Sequence, residues 1–217
     1  MTRRALLWWG IGLLAAGVVL GVGLGLGLSE PTGFDAGWNS FVGEHRRDAM
    51  VDFALVLNVI GGGWVAILVV PLIVIAGLVL ARRWRAAVFA AACFLASAGV
   101  VQVLKNVIGR ARPDDMIVSS DFGSFPSGHT ANAATVALVL WLLFPRVWVA
   151  ITGALWIIAM ALSRTFLSVH WITDTIGGAL LGAAVVLLLG AWLLPWARGR
   201  RGLDPAERVL PGGAPLG

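Results

Sequence analysis

The residues able to do chemistry in this chain fall in three short stretches, 105–113 (KNVIGRARP), 125–130 (FPSGHT) and 163–174 (SRTFLSVHWITD). Together they hold two histidines, His129 and His170, the carboxylate Asp174, and the cations Lys105, Arg110, Arg112 and Arg164. All three stretches border strongly apolar runs. Ionisable side chains are costly to keep at the edge of hydrophobic spans, so they mark chemistry before architecture.

The chemistry they suggest is the handling of an anion. His170 and Asp174 are four residues apart, so on one helix they share a face. The carboxylate can then accept the proton of one ring nitrogen and leave the other as a lone pair. That arrangement prepares a nucleophilic histidine, although the pair alone reads better as a histidine hydrogen-bonded to a nearby acid at a helix start. In Phe125-Pro126-Ser127-Gly128-His129, proline stops the preceding structure, serine is a favoured N-cap and glycine allows a ligand to come close. Free amides at such a helix start suit phosphate, and His129 would stand beside it. Lys105, Arg112 and Arg164 add point and forked donors for phosphate oxygens. Any one of these cations could be a headgroup anchor, but three of them with two histidines on one membrane face indicate phosphoryl transfer. Pro113 disfavours helical geometry at Arg112, so the helix carrying Lys105 should end before it. Arg110 reads as a plain surface charge, and Asp114, Asp115 and Asp121 read as solvated loop carboxylates rather than a magnesium site. No metal and no cofactor is expected.

The elements that must position these residues are membrane helices. Of 217 residues, 59% are hydrophobic and 12% charged, and the mean hydropathy is +0.90, beyond the range of soluble globular domains. The net charge of +5 is spread in single residues and pairs between apolar runs. It forms no continuous basic face, which argues against a nucleic-acid partner. The single cysteine, Cys93, permits no intramolecular disulfide. Six apolar runs cover residues 5–28, 54–80, 86–108, 128–144, 147–162 and 172–196. A span needs ~20 apolar residues, so the fourth and fifth suffice only if their helices continue into the motifs, the fourth from Ser127 and the fifth through Ser163 and Arg164. The fold class is therefore all-α, a polytopic bundle with six transmembrane helices over residues 5–197 and its motif core at about 100–175. Arg3 and Arg4 precede a first run too long for a signal-peptide core, which reads as a retained anchor. The glycines from Gly17 to Gly27, and Gly178 with Gly182, have small-xxx-small spacing suited to close helix packing. Tryptophans flank the spans as interfacial anchors. Residues 34–48 form an amphipathic surface helix, and the tail 198–217, rich in Gly, Pro and Arg, has a disordered composition.

With a cytoplasmic amino terminus, residues 1–4 and the other inside segments carry Arg3, Arg4, Arg82, Arg83, Arg85, Arg146, Arg198, Arg200, Arg201 and Arg208. Outside lie Arg46, Arg47 and Arg110 beside the three phosphate-binding cations. The positive-inside bias puts both termini in the cytoplasm and all three motifs on the extracytoplasmic face of the cell membrane.

The chain strongly resembles the type 2 phosphatidic acid phosphatase superfamily, which includes lipid phosphate phosphatases and, more distantly, vanadium haloperoxidases. The family pattern is Lys-x6-Arg-Pro, then Pro-Ser-Gly-His, then Ser-Arg-x5-His-x3-Asp. It is met by Lys105 with Arg112-Pro113, by Pro126-Ser127-Gly128-His129, and by Ser163-Arg164 with His170 and Asp174. The resemblance implies that His170 attacks phosphorus and forms a phosphohistidine while Asp174 holds its tautomer. It implies that His129 protonates the leaving oxygen and then activates water. Lys105, Arg112, Arg164 and the Ser127–Gly128 amides would bind the nonbridging oxygens. The implied substrate is a lipid phosphate in the bilayer, with a polyprenyl diphosphate as first choice and phosphatidylglycerol phosphate or phosphatidic acid as others. A phosphotransferase would share every motif. A transporter would carry its polar groups near the midplane, where only Asn58 and Gly61–Gly63 fall, and a lipid-facing site argues against a haloperoxidase.

Overall fold

The computed structural model describes residues 1–26, 31–61 and 65–199. Among these the chain is all-helical: α1 (Arg3–Leu26), α2 (Gly33–His45), α3 (Asp48–Gly61), a π-helical turn (Val65–Val69), α4 (Val70–Leu80), α5 (Trp84–Ile108), α6 (Gly128–Leu143), α7 (Val147–Phe166) and α8 (Ile172–Ala197). Four of them, α1, α5, α7 and α8, are long and apolar enough to cross a membrane, while α4 and α6 are shorter apolar helices. The chain is a multi-pass membrane protein. Within the expected second span the described residues form the end of α3, the π-helical turn and α4. The last two residues of the first run, 27–28, residues 62–64 and the tail beyond residue 199 lie outside the described residues. α6 begins at Gly128 directly after Ser127, and α7 runs through Ser163 and Arg164, as their lengths required. At 16 residues α6 is about 24 Å long, short of the ~30 Å hydrocarbon core. The segment before it enters the bundle instead of lying over it: Ser124, Phe125 and Ser127 have no solvent exposure.

α8 is the central helix, packed most extensively against α1 and α6 and also against α5. Its glycines set that closeness, since a Cβ at Gly178 or Gly182 would collide with the Ser127 or Ala131 carbonyl oxygen of the α6 strip. The small-residue spacing in the last span is thus a packing device, as expected. The apolar core beneath, built on Phe89, Cys93, Val139 and Val186, fixes α5, α6 and α8 at the end away from the motifs. That end also gathers arginines on rings: Arg3 over Trp192, Arg83 over Phe144 and Arg85 over Trp84.

Candidate active site

The motifs converge because four helix ends meet at one end of the bundle: the last turns of α5 and α7 and the first turns of α6 and α8. α5 stops where expected. Gly109 takes a left-handed conformation (φ 57°) and its N–H closes on the Lys105 carbonyl at 2.9 Å, which frees Arg112 from the helix. The loop then folds back, and Gly123 (φ 72°) packs so tightly over Lys105 that a Cβ there would lie 2.9 Å from its carbonyl oxygen.

The result is a cavity of about 680 Å³ lined at its polar end by Lys105, Asp121, Gly128, His129, Arg164 and His170. Away from that end the walls turn apolar, with Val59, Val65, Pro71, Phe94, Ala98 and Val101. Lys105 and Phe94 are both on α5, eleven residues or about 16 Å apart along the axis, so the cavity runs from the polar motif residues toward the middle of the helix bundle.

His170 is buried just before α8, with Asp174 in that helix's first turn. The two are not on one helix, yet they still meet: His170 Nδ1 lies 3.5 Å from Asp174 Oδ2, the outer limit of a hydrogen bond. Asp174 is fixed by other donors, the Trp171 N–H on Oδ2 at 2.9 Å and Arg110 Nη1 on Oδ1 at 2.6 Å. On the far side of the ring, Arg112 Nη1 lies 3.3 Å from Nε2. Nδ1 has no partner in hydrogen-bonding geometry, but the carboxylate on that side and the guanidinium at Nε2 favour the tautomer with its proton on Nδ1 and its lone pair on Nε2. Burial pushes the imidazole down to about 4, against the hydrogen bond and charge of Asp174. The ring is therefore neutral, and a potential nucleophile, at pH 7.

His129, in the first turn of α6, lies in the cavity wall with Nε2 lacking a hydrogen-bond partner; its ring has the Asn58 carbonyl as a backbone hydrogen-bond partner. Arg164 is 1% exposed. Its Nε donates to Ser163 Oγ at 3.1 Å and its Nη1 to Asn58 Oδ1 at 2.7 Å, which leaves Nη2 unpaired beside the cavity. A buried guanidinium nitrogen without an acceptor is expensive, and an anion in the cavity would supply one.

Three sequence expectations change. Arg110 is not a surface charge: it is 5% exposed and bonded to Asp35, Thr173 and Asp174. Burying a guanidinium requires carboxylates, and two are provided. Ser127 occupies the N-cap, but its N–H donates to the Asp174 carbonyl at 3.0 Å and its Oγ accepts from Thr130 at 3.2 Å. Its amide is therefore committed, and the first-turn amides of α6 without an intrahelical acceptor are those of Gly128, His129 and Thr130. The loop carboxylates are not simply solvated. Asp115 accepts from Ser168 and Asn39 at 2.8 and 3.1 Å. Asp121 accepts from Lys105 Nζ at 2.9 and 3.0 Å and from Arg112 Nη2 at 2.7 Å. Burial opposes the Asp121 charge, but the hydrogen bond and charge of Lys105 and the charge of Arg112 outweigh it and hold the carboxyl below its usual range.

Asn58, Asp35, Arg110 and Asp121 are thus site residues outside the motif reading. Asn58 carried a faint signal as a polar residue inside an apolar run. Asp35 was masked by a local role, since Thr32 and Asp35 form a helix cap, with the Asp35 N–H on Thr32 Oγ1 at 3.1 Å. The surface helix α2 is accordingly tied to the site through Asp35 and Asn39, while Phe34 and Phe41 remain exposed.

Among known proteins, phosphatidylglycerophosphatase B of Bacillus subtilis is 36% identical over 99 residues, 41% of this chain and 48% of that protein. Undecaprenyl-diphosphatase of Sulfolobus acidocaldarius is 33% identical over 95 residues, 40% of this chain and 45% of that protein. The chain thus spans about half the length of the curated relatives it matches. The crystal structure of a transmembrane PAP2 type phosphatidylglycerolphosphate phosphatase from Bacillus subtilis superposes with a TM-score of 0.76 at 22% identity, covering 91% of this chain and all of that one. The family model of the PAP2 superfamily matches residues 86–198, a segment that holds all three motifs and the four helix ends carrying them, and the chain belongs to that superfamily.

Proposed function

We propose that the protein is a membrane phosphatase that removes phosphate from a lipid phosphate or diphosphate through a phosphohistidine on His170. The observation that carries the reading is the cavity itself. Two histidines and three cations line or border its polar end, and an apolar wall continues toward the middle of the helix bundle. A substrate whose phosphate sits among the cations and whose chain lies along Val101, Ala98 and Phe94 fits that polarity.

In this reading Nε2 of His170 attacks phosphorus as Arg112 Nη1 moves from the imidazole to a nonbridging oxygen. A P–N bond forms, the P–O bond to the lipid breaks, and His129 gives the leaving oxygen its proton. Water then attacks the phosphohistidine, losing its proton to His129, and free phosphate and neutral His170 are restored. Asp174 steadies the imidazolium character of the intermediate. Lys105, Arg112, Arg164 and the Gly128 and His129 amides offset charge on the oxygens, so the chemistry calls on no metal.

A polyprenyl diphosphate is our first choice of substrate, in keeping with the name of the Sulfolobus relative. Phosphatidylglycerol phosphate, in keeping with the Bacillus relative, and phosphatidic acid come next. The site opens on the extracytoplasmic side, a reading supported by the arginines at the opposite end of the bundle. The test is phosphate release by purified protein in detergent with EDTA against these lipids. Release that vanadate inhibits and EDTA does not is expected. Complete loss in EDTA, restored by magnesium, contradicts the mechanism, and transfer of phosphate to an added alcohol in place of release identifies a phosphotransferase.

A further inference from the structure

The chain Asp35–Arg110–Asp174 is wholly buried: the Arg110 side chain is 2% exposed and both carboxylates 0%. Arg110 Nη2 donates to Asp35 Oδ2 at 2.7 Å, and Nη1 donates to Asp174 Oδ1 at 2.6 Å and Thr173 Oγ1 at 2.8 Å. Asp35 Oδ1 accepts the Thr173 N–H at 3.1 Å and Oδ2 accepts from Thr32 Oγ1 at 2.8 Å. The Trp171 ring covers the guanidinium, its centroid 5.7 Å from Cζ. Neither carboxylate faces solvent, and none of the three side chains lines the cavity. A buried charge cluster of this cost is not needed merely to close the bundle, where apolar residues of similar volume would serve as well or better.

We infer that Arg110 is a positioning residue for the Asp174–His170 pair and that Asp35, carried on α2, is its anchor. The inference rests on the reading of His170 as nucleophile. By holding Oδ1, Arg110 turns Oδ2 toward His170 Nδ1 and fixes the imidazole plane that aims Nε2 into the cavity. It also draws negative charge from Asp174. An unopposed Asp174 would favour a protonated His170, which has no lone pair to attack phosphorus. Arg110 thereby keeps the nucleophile both aligned and neutral. The other charged or titratable groups around His170 are Arg112 at Nε2, Lys105, Asp121 and His129. Arg110→Gln leaves all of them in place, so a changed pH response reports on Asp174.

The experiment compares wild type, Arg110→Gln, Arg110→Lys, Asp35→Asn and His170→Ala, each purified in detergent and checked for folding by thermal unfolding. The readouts are kcat, KM and the acid limb of kcat/KM against pH on one lipid phosphate, so that substrate ionisation is common to every variant. Arg110→Gln should lower kcat by about tenfold or more with KM little changed, and should move the acid limb upward by about one pH unit. Arg110→Lys, which keeps the charge, should return the limb toward the wild-type position while recovering only part of kcat. Asp35→Asn should lower kcat with a smaller displacement of the limb. A folded Arg110→Gln whose limb stays in place, or whose loss is confined to KM, overturns the inference. If that variant does not fold, wild-type kcat and pH profile in both Arg110→Lys and Asp35→Asn overturn it. Retained activity in His170→Ala would instead refute the functional reading on which the inference rests.

Discussion

Asp121 occupies the place where a phosphate would be expected. Both of its oxygens accept from Lys105 Nζ and one accepts from Arg112 Nη2, and the same two cations are assigned to the substrate. A phosphate must therefore displace this carboxylate or share its donors, and Asp121→Asn should make anions bind more tightly. The Asp121 side chain is 63% exposed, so solvent screens both pairs and each is worth only about 0.2–1 kcal/mol. Two such pairs together amount to about 0.4–2 kcal/mol, or roughly 2- to 30-fold in an inhibition constant. The assay is competitive inhibition by orthovanadate and by inorganic phosphate at pH 7. Because the Asp121 carboxyl is held below its usual range, it is ionised above pH 5 and competes fully there. A raised inhibition constant would refute the reasoning. It would mean that Asp121 preorganises Lys105 and Arg112 more than it obstructs them.

Further outcomes follow from other parts of the site. His170→Ala should abolish turnover and any trapped phosphoenzyme, whereas His129→Ala should still form phosphoenzyme on substrates with good leaving groups; equal trapping in both variants would void the two roles. Asn58→Ala removes the acceptor of Arg164 Nη1 in a residue that is 1% exposed, and should destabilise the protein by about 1–3 kcal/mol, read as a lower unfolding midpoint in detergent. Asn58→Asp, which keeps an acceptor, should hold the midpoint. For sidedness, a cysteine at Ser120 in a Cys93→Ala background should react with a membrane-impermeant thiol reagent in intact cells, and one at Arg146 only after permeabilisation. Exchanged results would invert the topology and move the substrate pool to the cytoplasmic leaflet.

The residues legible in the sequence were those whose chemistry is local. Pro126-Ser127-Gly128 declares a helix start whatever surrounds it, and Pro113 declares that α5 has ended. Helix length alone forced α6 and α7 to reach into their motifs. Arg110 was illegible for the opposite reason. It lies two residues from Arg112, in the same irregular turn after Gly109, and nothing in that turn decides which guanidinium faces the cavity and which faces α8. The decision is made by Asp35, 75 residues earlier in the chain, a partner that periodicity cannot find. Asn58 was similarly hidden, since its role exists only once Arg164 arrives beside it. The π-helical turn in the second span escaped because residues 65–80 are apolar throughout, so hydropathy gives no sign of a change in helix winding there.

What the sequence lacked, the charge pattern of the folded site supplies. Setting the two site histidines aside, the described cluster holds four cations, Lys105, Arg110, Arg112 and Arg164, against the three carboxylates Asp35, Asp121 and Asp174. Two of those carboxylates are sealed inside and committed to Arg110; the third, Asp121, sits at the surface on Lys105 and Arg112. If Asp121 swings away, the cluster has an excess of two positive charges, the charge that a phosphate dianion would neutralise. The buried carboxylates therefore set the site's requirement for charge, and the exposed one covers part of it in the resting state. That division explains why Asp121 is partly in solvent while Asp35 is not: a carboxylate that must leave needs water to receive it, and one that anchors a guanidinium does not.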